Sequence, residues 1–587
     1  MNIVLSALNA KYIHTSLALR SLKAFCREYK DNITIAEYTI NHEENYILNE
    51  IYKLNPDILG FACYIWNIEQ TLDLVSNIKK ILPNTLIVLG GPEVSYDGEK
   101  LLKDYKEIDV IIYGEGEETF YEILHSYIDG NKSLEKIDGI IYAANGQIIR
   151  NKERVPLNLD DIPFVYEEFQ DMENQILYYE STRGCPYQCQ YCLSSIDKKV
   201  RFLSLERVYS DLQRFLDGKV KQVKFVDRTF NCNKKHAWAI WSYLMEHDNG
   251  TTNFHFEISA DLLDDETIAF LSKARPGLFQ FEIGVQTTNK EVLKIINRKM
   301  DFEQLKIIVS KIKQAQNIHQ HLDLIAGLPG EDYASFKNSF NDVYSLFPEQ
   351  LQLGFLKVLK GSGMRINAEQ YGLIYKKKAP YEILFTRELN YGEMLKLKMI
   401  EEMVEKYYNS GRFYYSIRYI THFFDTPFDF YEALAVYWER KGYHHVQHNK
   451  IQLYTILLEF FKEKAEEGAE VFKELLKFDI YLHEKAKKLP EWMDSSEEMY
   501  KSQIRDFYRN EENIKHYLPK LMEYSSKQIS RMAHLEVFPI DFTEWIKSIG
   551  SGEESLKIDK KPTAILFDYY SKNQILGHAA FYKVIIQ

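Results

Sequence analysis

Short apolar runs alternate with amphipathic segments from Met1 to about Asn145, and this alternation constrains the fold more than any other feature of the chain. The runs NIVLSAL, ITIAEYTI, DILGFACYI, TLIVLGG and VIIYGEGE have the length and composition of buried strands. Segments with apolar residues at helical spacing, such as TSLALRSLKAFCREY, separate most of these runs. Strands that alternate with helices form mainly parallel sheets, so the sequence predicts a doubly wound α/β domain over residues 1–145.

Loops rich in glycine and polar residues follow four of these strands, at NAKYIH, CYIWN, GGPEVS and GEGEE. In doubly wound sheets, ligands bind outside the carboxyl ends of the strands, where such loops meet. Glycine lets backbone amides approach a large ligand, but a tight turn explains any single glycine here at least as well. No G-x-G-x-x-G motif opens the first helix, so the pattern does not indicate a nicotinamide cofactor. The candidate binding residues are Asn9, Tyr12, His14, Tyr64, Trp66, Asn67, Gly90, Gly91, Glu93, Gly114, Gly116 and Glu117.

A second series of strands and helices follows a linker at 146–174, which Pro156 and Pro163 mark as extended. Its candidate strands are ILYYES, VKFVDR, FHFEISA, LFQFEIGV, HLDLIAG and LQLGFLKV. Six β/α repeats over residues 175–370 predict a partial (β/α)6 barrel, whose chemistry lies at the carboxyl ends of its strands. Residues 371–587 are predicted to form a mostly helical C-terminal domain that ends in two strands, PTAILFDYY and HAAFYKVII.

Composition limits the class of protein. The 587-residue chain has a net charge of −12, which argues against indiscriminate binding of nucleic acid. No apolar run approaches the roughly 20 residues of a membrane span, and Met1 leads directly into a strand pattern. We therefore expect no membrane partner and a cytoplasmic location. Three of the six cysteines are isolated, which does not suggest a disulfide framework.

The other three cysteines form a compact motif. Cys185, Cys189 and Cys192 have the spacing C-x3-C-x2-C and follow the first predicted barrel strand. Three thiolates on one loop can bind three irons of a [4Fe–4S] cluster and leave the fourth iron open. A structural zinc site is the alternative, and it would need a fourth protein ligand such as His255 or Cys232.

The cysteine loop CPYQCQYC, with Tyr191 before its last cysteine, resembles that of the radical S-adenosylmethionine (SAM) superfamily. The resemblance implies that SAM chelates the open iron and is cleaved reductively to methionine and a 5′-deoxyadenosyl radical. The N-terminal domain, with its GGPE and GEGE loops, is similar to the cobalamin-binding domain that precedes the barrel in one large subfamily. The two similarities together cover roughly residues 1–360, and the C-terminal part resembles an uncharacterised domain that accompanies some of these proteins.

The same resemblance suggests which barrel residues bind SAM. Asp227, which ends the second strand, would contact the SAM amino group, with helix capping as the alternative. Residues of the third and fourth strands would reach the ribose or the methionine moiety, and a loop after the fifth would lie against the adenine. Barrel packing remains the alternative for each of them. These further candidates are Glu257, Ser259, Gln286, Gly327 and Leu328.

One departure concerns the cobalamin domain. Cobalamin mutases carry D-x-H-x-x-G after the first strand, but this chain has NAKYIHTSLA there. We therefore expect cobalamin without a histidine on its lower face, with Tyr64 and Trp66 packed there and His14 as a less favoured ligand. We expect the nucleotide tail to lie near the glycines of the GGPE and GEGE loops. A vestigial, empty pocket is the remaining alternative.

The resemblance implies a cobalamin-dependent radical SAM enzyme that transfers a methyl group to an unactivated carbon. A second hypothesis is rearrangement, cyclisation or a methylthio-type modification of tRNA, and a third is an iron–sulfur sensor without turnover. The substrate is expected to be a small molecule or tRNA. An electron donor such as flavodoxin or ferredoxin is also expected.

Replacement of Cys185, Cys189 and Cys192 together by Ala should abolish SAM cleavage, because the cluster would lose all its protein ligands. Iron and sulfide analysis of anaerobically purified protein, with 5′-deoxyadenosine measured after addition of SAM and a reductant, checks this. Cys232→Ala is the matched control and should retain both iron and cleavage. Stoichiometric zinc without iron in the unmodified protein would contradict the prediction.

Overall fold

The computed structural model describes residues 1–128, 130, 133–465, 467–486, 488–551 and 556–586, without the side chains of 171, 550 and 551. Its contacts divide the chain into two compact units. The first comprises Met1–Phe336 and Gly354–Tyr391, and the second comprises Lys337–Leu353 and Gly392–Gln587. Within the described residues, no helix combines the length and the apolar character that a membrane span requires.

A seven-stranded sheet forms the N-terminal part of the first unit. Its strands run in the order β2-β1-β3-β4-β5-β6-β7, with the first five parallel. The strands are β1 (Ile3–Asn9), β2 (Ile33–Thr39), β3 (Ile58–Ala62), β4 (Leu86–Gly90), β5 (Val110–Ile112), β6 (Ile140–Ala144) and β7 (Gln147–Arg150). The helices are α1 (Leu17–Phe25), α2 (Glu44–Leu54), α3 (Ile68–Ile81), α4 (Pro92–Ser95), α5 (Gly98–Asp104) and α6 (Glu117–Ile128).

Both faces of this sheet are buried, which explains the near-continuous apolar character of its strands. Along β1, Val4 and Leu8 belong to one hydrophobic cluster, whereas Ile3 and Leu5 belong to the cluster on the opposite face. The predicted doubly wound α/β fold is therefore confirmed.

The sheet extends beyond the predicted boundary at residue 145. Strands β6 and β7 form an antiparallel hairpin that continues to Arg150. Asn145 and Gly146 form its two-residue turn, both with positive φ (52° and 76°), which is the conformation that an Asn-Gly turn favours.

A six-stranded parallel sheet forms the partial barrel, in the order β15-β14-β13-β12-β11-β8. The predicted (β/α)6 barrel is thereby confirmed. Its strands are β8 (Leu177–Tyr179), β11 (Gln222–Phe225), β12 (Asn253–Ile258), β13 (Phe279–Gln286), β14 (Ile318–Ala326) and β15 (Gln350–Phe355). Short strands β9 (Thr182–Arg183) and β10 (Arg201–Phe202) pair antiparallel on either side of the cysteine loop. Strands β16 (Ile374–Tyr375) and β17 (Ile383–Phe385) form a further small sheet.

Helices follow the barrel strands along the chain. They are α7 (Leu205–Asp217), α8 (Lys234–Glu246), α9 (Asp265–Leu271), α10 (Lys290–Ile295), α11 (Phe302–Gln314), α12 (Tyr333–Tyr344) and α13 (Gly363–Ile366). Ser, Asp or Asn precedes several of these helices, as at Asp301, whose side chain accepts hydrogen bonds from the first turn of α11. These caps fix where the helices begin and hence the length of the loops at the carboxyl ends of the strands.

The second unit is mostly helical, as predicted. Its helices are α14 (Tyr391–Met403), α15 (Tyr414–Thr421), α16 (Pro427–Lys441), α17 (Lys450–Lys464), α18 (Ala469–His483), α19 (Lys501–Arg509), α20 (Glu511–Tyr517), α21 (Ser526–Met532) and α22 (Thr543–Ser551). The two predicted terminal strands are present as β19 (Thr563–Lys572) and β20 (Ala579–Val584). A further strand, β18 (Ala533–Phe538), pairs with β19 and was not predicted. Aromatic side chains around Phe478, in the middle of α18, fill much of the core.

Candidate active site

A cavity of about 740 Å³, which we call the sheet-edge cavity, lies at the carboxyl ends of β1, β3, β4 and β5. Residues of the barrel, from β8 and from the end of β11, close it on another side. All of its lining residues belong to the first compact unit. The predicted site residues that line it are Asn9, His14, Tyr64, Trp66, Gly90, Gly91, Gly114, Gly116 and Glu117.

Glycine is required at one position of this edge. Gly91 has a φ of 113°, and a Cβ atom placed on it would lie 2.5 Å from the carbonyl oxygen of Cys63. The loop after β4 therefore passes so close to the loop after β3 that no larger residue fits. Gly114 also has a positive φ, 76°, but nothing lies within 4 Å of its position, so it leaves open space at the cavity.

Two aromatic rings form a flat surface in the loop after β3. Tyr64 and Trp66 stack with ring centroids 4.6 Å apart and an interplanar angle of 6°, and Trp66 remains 45% exposed. Trp66 Nε1 donates to the carbonyl of Leu8 over 3.1 Å. Asn67 is buried and does not line the cavity. Its amide donates to the carbonyls of Leu8 and Ala62, so it holds the loop that carries the two rings.

The loop after β1 places His14 on the cavity and Tyr12 away from it. His14 Nδ1 lies 2.7 Å from the hydroxyl of Tyr178, and Asn9 Nδ2 donates to the His14 carbonyl over 2.9 Å. Burial lowers the pKa of His14, and the charges of Lys11 and Lys224 act in the same direction. Tyr12 is 68% exposed and does not line the cavity.

The GEGE loop binds the segment before the cysteines through an ion-pair network. Arg183 Nη2 lies 2.6 Å from Glu117 and 2.8 Å from Glu180, and Arg183 Nη1 lies 3.4 Å from Glu115. Arg201, in β10, pairs with the same Glu115. Burial opposes ionisation of Glu117, but the Arg183 guanidinium outweighs it and lowers the pKa of that carboxyl. Glu117 therefore lines the cavity as an ionised, fully paired group.

Glu93, of the GGPE loop, lies outside the sheet-edge cavity. Its carboxylate accepts a hydrogen bond from the Tyr381 hydroxyl over 2.9 Å, and Lys360 Nζ bonds to its backbone carbonyl. Burial raises the pKa of Glu93. The GGPE motif thus anchors the segment 354–391 within the first unit.

The three motif cysteines line a second cavity of about 160 Å³, which we call the cysteine cavity. Gly184 makes the approach to it possible, because it has a φ of 96° and a Cβ there would lie 2.5 Å from the Lys199 carbonyl oxygen. Backbone bonds hold the loop, from Cys185 N to Asp197 O (3.0 Å) and from Gln190 N to Ile296 O (2.9 Å).

The cysteines suit a cluster better than a single zinc ion. Thiolates that share one zinc ion at 2.3 Å lie about 4 Å apart. Among the described residues, the one set of three metal-ligating side chains whose donor atoms all lie within 4.8 Å of one another is Glu282, His321 and Asp323, so at least one pair of the three sulfur atoms is farther apart than that. His255, an alternative fourth zinc ligand, pairs with Glu282 over 3.0 Å, and Cys232 does not line the cavity.

Arg298 is a residue of this cavity that the sequence analysis missed. Its Nη1 lies 3.1 Å from the Tyr191 hydroxyl and 4.0 Å from Cys189 Sγ, and its Nη2 donates to the Gly284 carbonyl. Tyr191, predicted from the motif, thus lines the cavity and helps to hold the partly buried Arg298 guanidinium beside Cys189. Arg298 was missed because it lies in the INRKM segment after α10, whereas the sequence analysis sought site residues at the ends of strands.

Three predicted SAM-binding residues line the cysteine cavity, namely Glu257, Ser259 and Gln286. Gln286 has a φ of 73°, and its buried Oε1 has no hydrogen-bond partner among the described residues. Burial raises the pKa of Glu257 to about 7, although the charge of Arg228 opposes this. An orphaned carbonyl oxygen and a carboxylate beside the cysteines fit the hydroxyl and amino groups of SAM.

Asp227, Gly327 and Leu328 are not lining residues of either cavity. The buried carboxylate of Asp227 accepts hydrogen bonds from Ser181 N (3.1 Å) and Ser181 Oγ (2.7 Å). Burial raises its pKa to about 6. In this structure Asp227 joins the end of β11 to the segment that follows β8. Leu328 is fully buried, and Gly327 has a φ of 85°.

A polar network lies inside the barrel, and two of its carboxylates, Glu282 and Asp323, also line the cysteine cavity. Lys224 Nζ lies 2.7 Å from Glu282, His255 Nε2 lies 3.0 Å from the same carboxylate, and His321 Nε2 lies 3.0 Å from Asp323. Burial alone would raise the pKa of Glu282, but His255 and Lys224 lower it well below its usual value. Lys224 thus neutralises Glu282, whereas His321 Nε2 and Asp323 Oδ1 lie within ion-pair distance but make no hydrogen bond of good geometry among the described residues.

The Arg183–Glu117 pair should be strongly coupled in a double-mutant cycle with Arg183→Gln and Glu117→Gln. Glu117 is 7% exposed and Arg183 18% exposed. Arg183→Gln leaves Glu117 as a buried charge without its cation and should cost about 3 kcal/mol in the free energy of unfolding. Glu117→Gln leaves Arg183 paired with Glu115 and Glu180 and should cost less, with a coupling energy of about 1–3 kcal/mol between the two residues. The exposed pair Arg150–Glu99 is the matched control and should show less than about 1 kcal/mol. Equal coupling energies for the two pairs would contradict the conclusion that Arg183 and Glu117 form a buried, strongly coupled pair.

The same cycle should depend on pH. The folded pKa of Glu117 is lowered, so its contribution is complete above the unfolded carboxyl pKa of about 4.3 and is lost as the pH falls through the folded value. On acidification, the unmodified protein should therefore lose more stability than Glu117→Gln.

Comparisons with known proteins agree with this geometry. Three domain families match the chain, described as B12 binding domain (residues 3–124), Radical SAM superfamily (179–343) and Protein of unknown function DUF4080 (369–567). An uncharacterized methyltransferase of Pyrococcus horikoshii is 26% identical over 54% of this chain and 70% of its own length. The cobalamin-dependent radical SAM methyltransferase TokK of Streptomyces tokunonensis is 24% identical over 56% of this chain, which spans about half (51%) of TokK.

Among solved structures, the radical SAM methyltransferase TsrM from Kitasatospora setae, with tryptophan and a SAM analogue bound, superposes with a TM-score of 0.53. The match covers 63% of this chain and 77% of TsrM at 16% identity, so it concerns the fold. The matched domains follow one another in the order that the sequence analysis predicts. The chain therefore contains a domain that matches the B12-binding family, one that matches the radical SAM superfamily and one that matches DUF4080, in that order.

Proposed function

We propose that this protein is an enzyme that transfers a methyl group to an unactivated carbon of a small molecule, with a [4Fe–4S] cluster, SAM and cobalamin as cofactors. The observation that carries the proposal is that the sheet-edge cavity and the cysteine cavity meet at one residue, Arg228, which lines both. When bound, the cluster and SAM supply a carbon-centred radical, and cobalamin supplies the methyl group. The relatives named as methyltransferases support the same assignment.

The cysteine cavity would hold the cluster and SAM. Cys185, Cys189 and Cys192 are the cluster ligands, and the partly buried Arg298 beside Cys189 stabilises added negative charge there. Gln286 and Glu257 supply the polar contacts to SAM, because both line the cavity and Gln286 Oε1 has no hydrogen-bond partner within the described part of the protein. These residues orient SAM and exclude water from it.

The sheet-edge cavity would hold cobalamin. Its glycines allow close backbone approach, and the stacked pair Tyr64 and Trp66 offers a flat apolar surface of the kind that packs against a planar macrocycle. His14 lines the cavity but its Nδ1 is committed to Tyr178. We propose that Tyr64 and Trp66 would cover the lower face of bound cobalamin, with His14 as the alternative, a ligand to the cobalt.

A small molecule is favoured over tRNA as the substrate. Binding of a polyanion requires several unpaired cations, but Arg183 and Arg207, two cations of the sheet-edge cavity, form ion pairs with Glu117 and Asp211. The net charge of −12 points in the same direction. A cytoplasmic location and a flavodoxin or ferredoxin as electron donor belong to the same proposal.

The decisive experiment uses anaerobically purified protein, reconstituted with iron, sulfide and cobalamin. It is incubated with reductant, SAM labelled with deuterium in its methyl group, and a low-mass metabolite extract of the organism that encodes it. We expect S-adenosylhomocysteine and 5′-deoxyadenosine together, with trideuteromethyl transferred to a metabolite, because each turnover consumes SAM in two ways. Protein reconstituted without cobalamin is the control and should form no labelled metabolite.

The alternatives give different products. 5′-Deoxyadenosine without labelled product would favour rearrangement or cyclisation, and label in an added tRNA pool would favour nucleic-acid modification. Absence of both SAM products would indicate an iron–sulfur sensor and would contradict the proposal.

A further inference from the structure

Arg228 is the one residue that lines both cavities among the described residues. It follows Asp227 at the end of β11, and its side chain is exposed to the cavity space. The backbone that carries it is fixed on both sides. Val226 N donates to the Tyr179 carbonyl over 2.9 Å, and Thr229 Oγ1 donates to the Arg228 carbonyl over 2.8 Å. The position of the Arg228 backbone at the junction is therefore set by the barrel.

Most of the carboxylates around Arg228 are already paired with other groups, and the exception is Glu257, on whose pKa the charge of Arg228 acts. On the sheet-edge cavity, Glu115, Glu117 and Glu180 contact Arg183, and Asp211 contacts Arg207. On the cysteine cavity, Glu282 pairs with Lys224 and Asp323 pairs with His321.

Arg228 itself has no hydrogen bond or ion pair from its side chain to any described residue. Glu257, which lines only the cysteine cavity, is not within ion-pair distance of it in the described part of the chain. A guanidinium offers five N–H donors in a planar fork that matches a carboxylate or a phosphate. An unpaired guanidinium at a cavity junction is thus a site for an anionic group of a ligand.

We propose that Arg228 binds an anionic group, a carboxylate or a phosphate, of the methyl acceptor. The inference rests on the proposed function, because an acceptor carbon must reach both the methyl donor and the radical source. Those two groups belong to different cavities, and the acceptor must therefore lie where the cavities meet. The candidate SAM contacts Glu257, Ser259 and Gln286 line the cysteine cavity alone, whereas Arg228 also faces the sheet-edge cavity. The substrate class is therefore a small organic anion.

Minimal anions can test this without knowledge of the substrate. Acetate and inorganic phosphate are titrated separately into reconstituted holoprotein that contains cob(II)alamin, and the paramagnetic broadening of their ¹H and ³¹P NMR signals is measured. Arg228→Met removes the charge at similar length, and Arg228→Lys keeps the charge but loses the fork. Arg27→Met is the matched control, because Arg27 is exposed and lines neither cavity. Cobalamin content and the dissociation constant of SAM are measured for every variant.

We expect saturable broadening of one anion in the unmodified protein and in Arg27→Met. The dissociation constant for that anion should rise about tenfold or more in Arg228→Met and by less in Arg228→Lys, since a charge-assisted pair is lost or weakened. SAM affinity and cobalamin content should stay within about twofold. A response to acetate would indicate a carboxylate substrate, and a response to inorganic phosphate would indicate a phosphorylated one.

Three results would overturn the proposal: anion binding that survives Arg228→Met, no saturable anion binding in the unmodified protein, or a parallel loss of SAM affinity, which would make Arg228 part of the SAM site. The measurement does not require turnover. Arg228-dependent anion binding without methyl transfer would therefore remove the proposed function while leaving the anion site in place. Methyl transfer to an uncharged acceptor would remove the proposed role of Arg228 while leaving the proposed function in place.

Discussion

The buried guanidinium of Arg183 is the interaction on which the rest of this arrangement depends. It contacts Glu115 and Glu117 from the loop after β5 and Glu180 from the end of β8, and it lies two residues before Cys185. Burial of the Arg183 guanidinium costs solvation free energy. The three carboxylates offset this cost because the loop after β5 and the end of β8 hold them in a fixed geometry. The pairing therefore sets the position of the cysteine loop relative to the sheet edge, and with it the place where the two cavities meet.

Each cavity is formed by strand ends and by a few residues that permit close approach of the backbone. Gly91 and Gly184 both have positive φ values at which a Cβ atom would collide with a carbonyl oxygen. A larger residue at either position would force its loop away from the neighbouring backbone, so glycine is needed for the cavity shapes seen here. Gln286 and Arg228, which line the cavities, have side-chain polar groups without partners among the described residues and are therefore available to ligands.

Much of this could be predicted from the sequence, because strand and helix periodicity and the cysteine spacing are local signals. The Asn145–Gly146 turn is equally local, yet the predicted boundary fell on it, since the strand after it has few apolar residues. Strand β18 was missed because it follows α21 directly and has no loop before it. The roles of Arg183 and Asp227 depend on partners 66 and 46 residues away, which no periodicity encodes. Position at a strand end indicated Asp227 as a ligand contact, whereas the structure pairs its carboxylate with Ser181.

The central claim is that the sheet-edge cavity and the cysteine cavity, which we propose hold cobalamin and the cluster, adjoin within one compact unit, with Arg228 at their junction. Electron paramagnetic resonance of reconstituted protein with both cob(II)alamin and a reduced [4Fe–4S] cluster tests this most directly. We predict that reduction of the cluster speeds the relaxation of the cob(II)alamin signal, because the two paramagnetic centres then interact magnetically. A cob(II)alamin signal that stays the same whether or not the cluster is reduced would place the two cofactors far apart and would contradict the account.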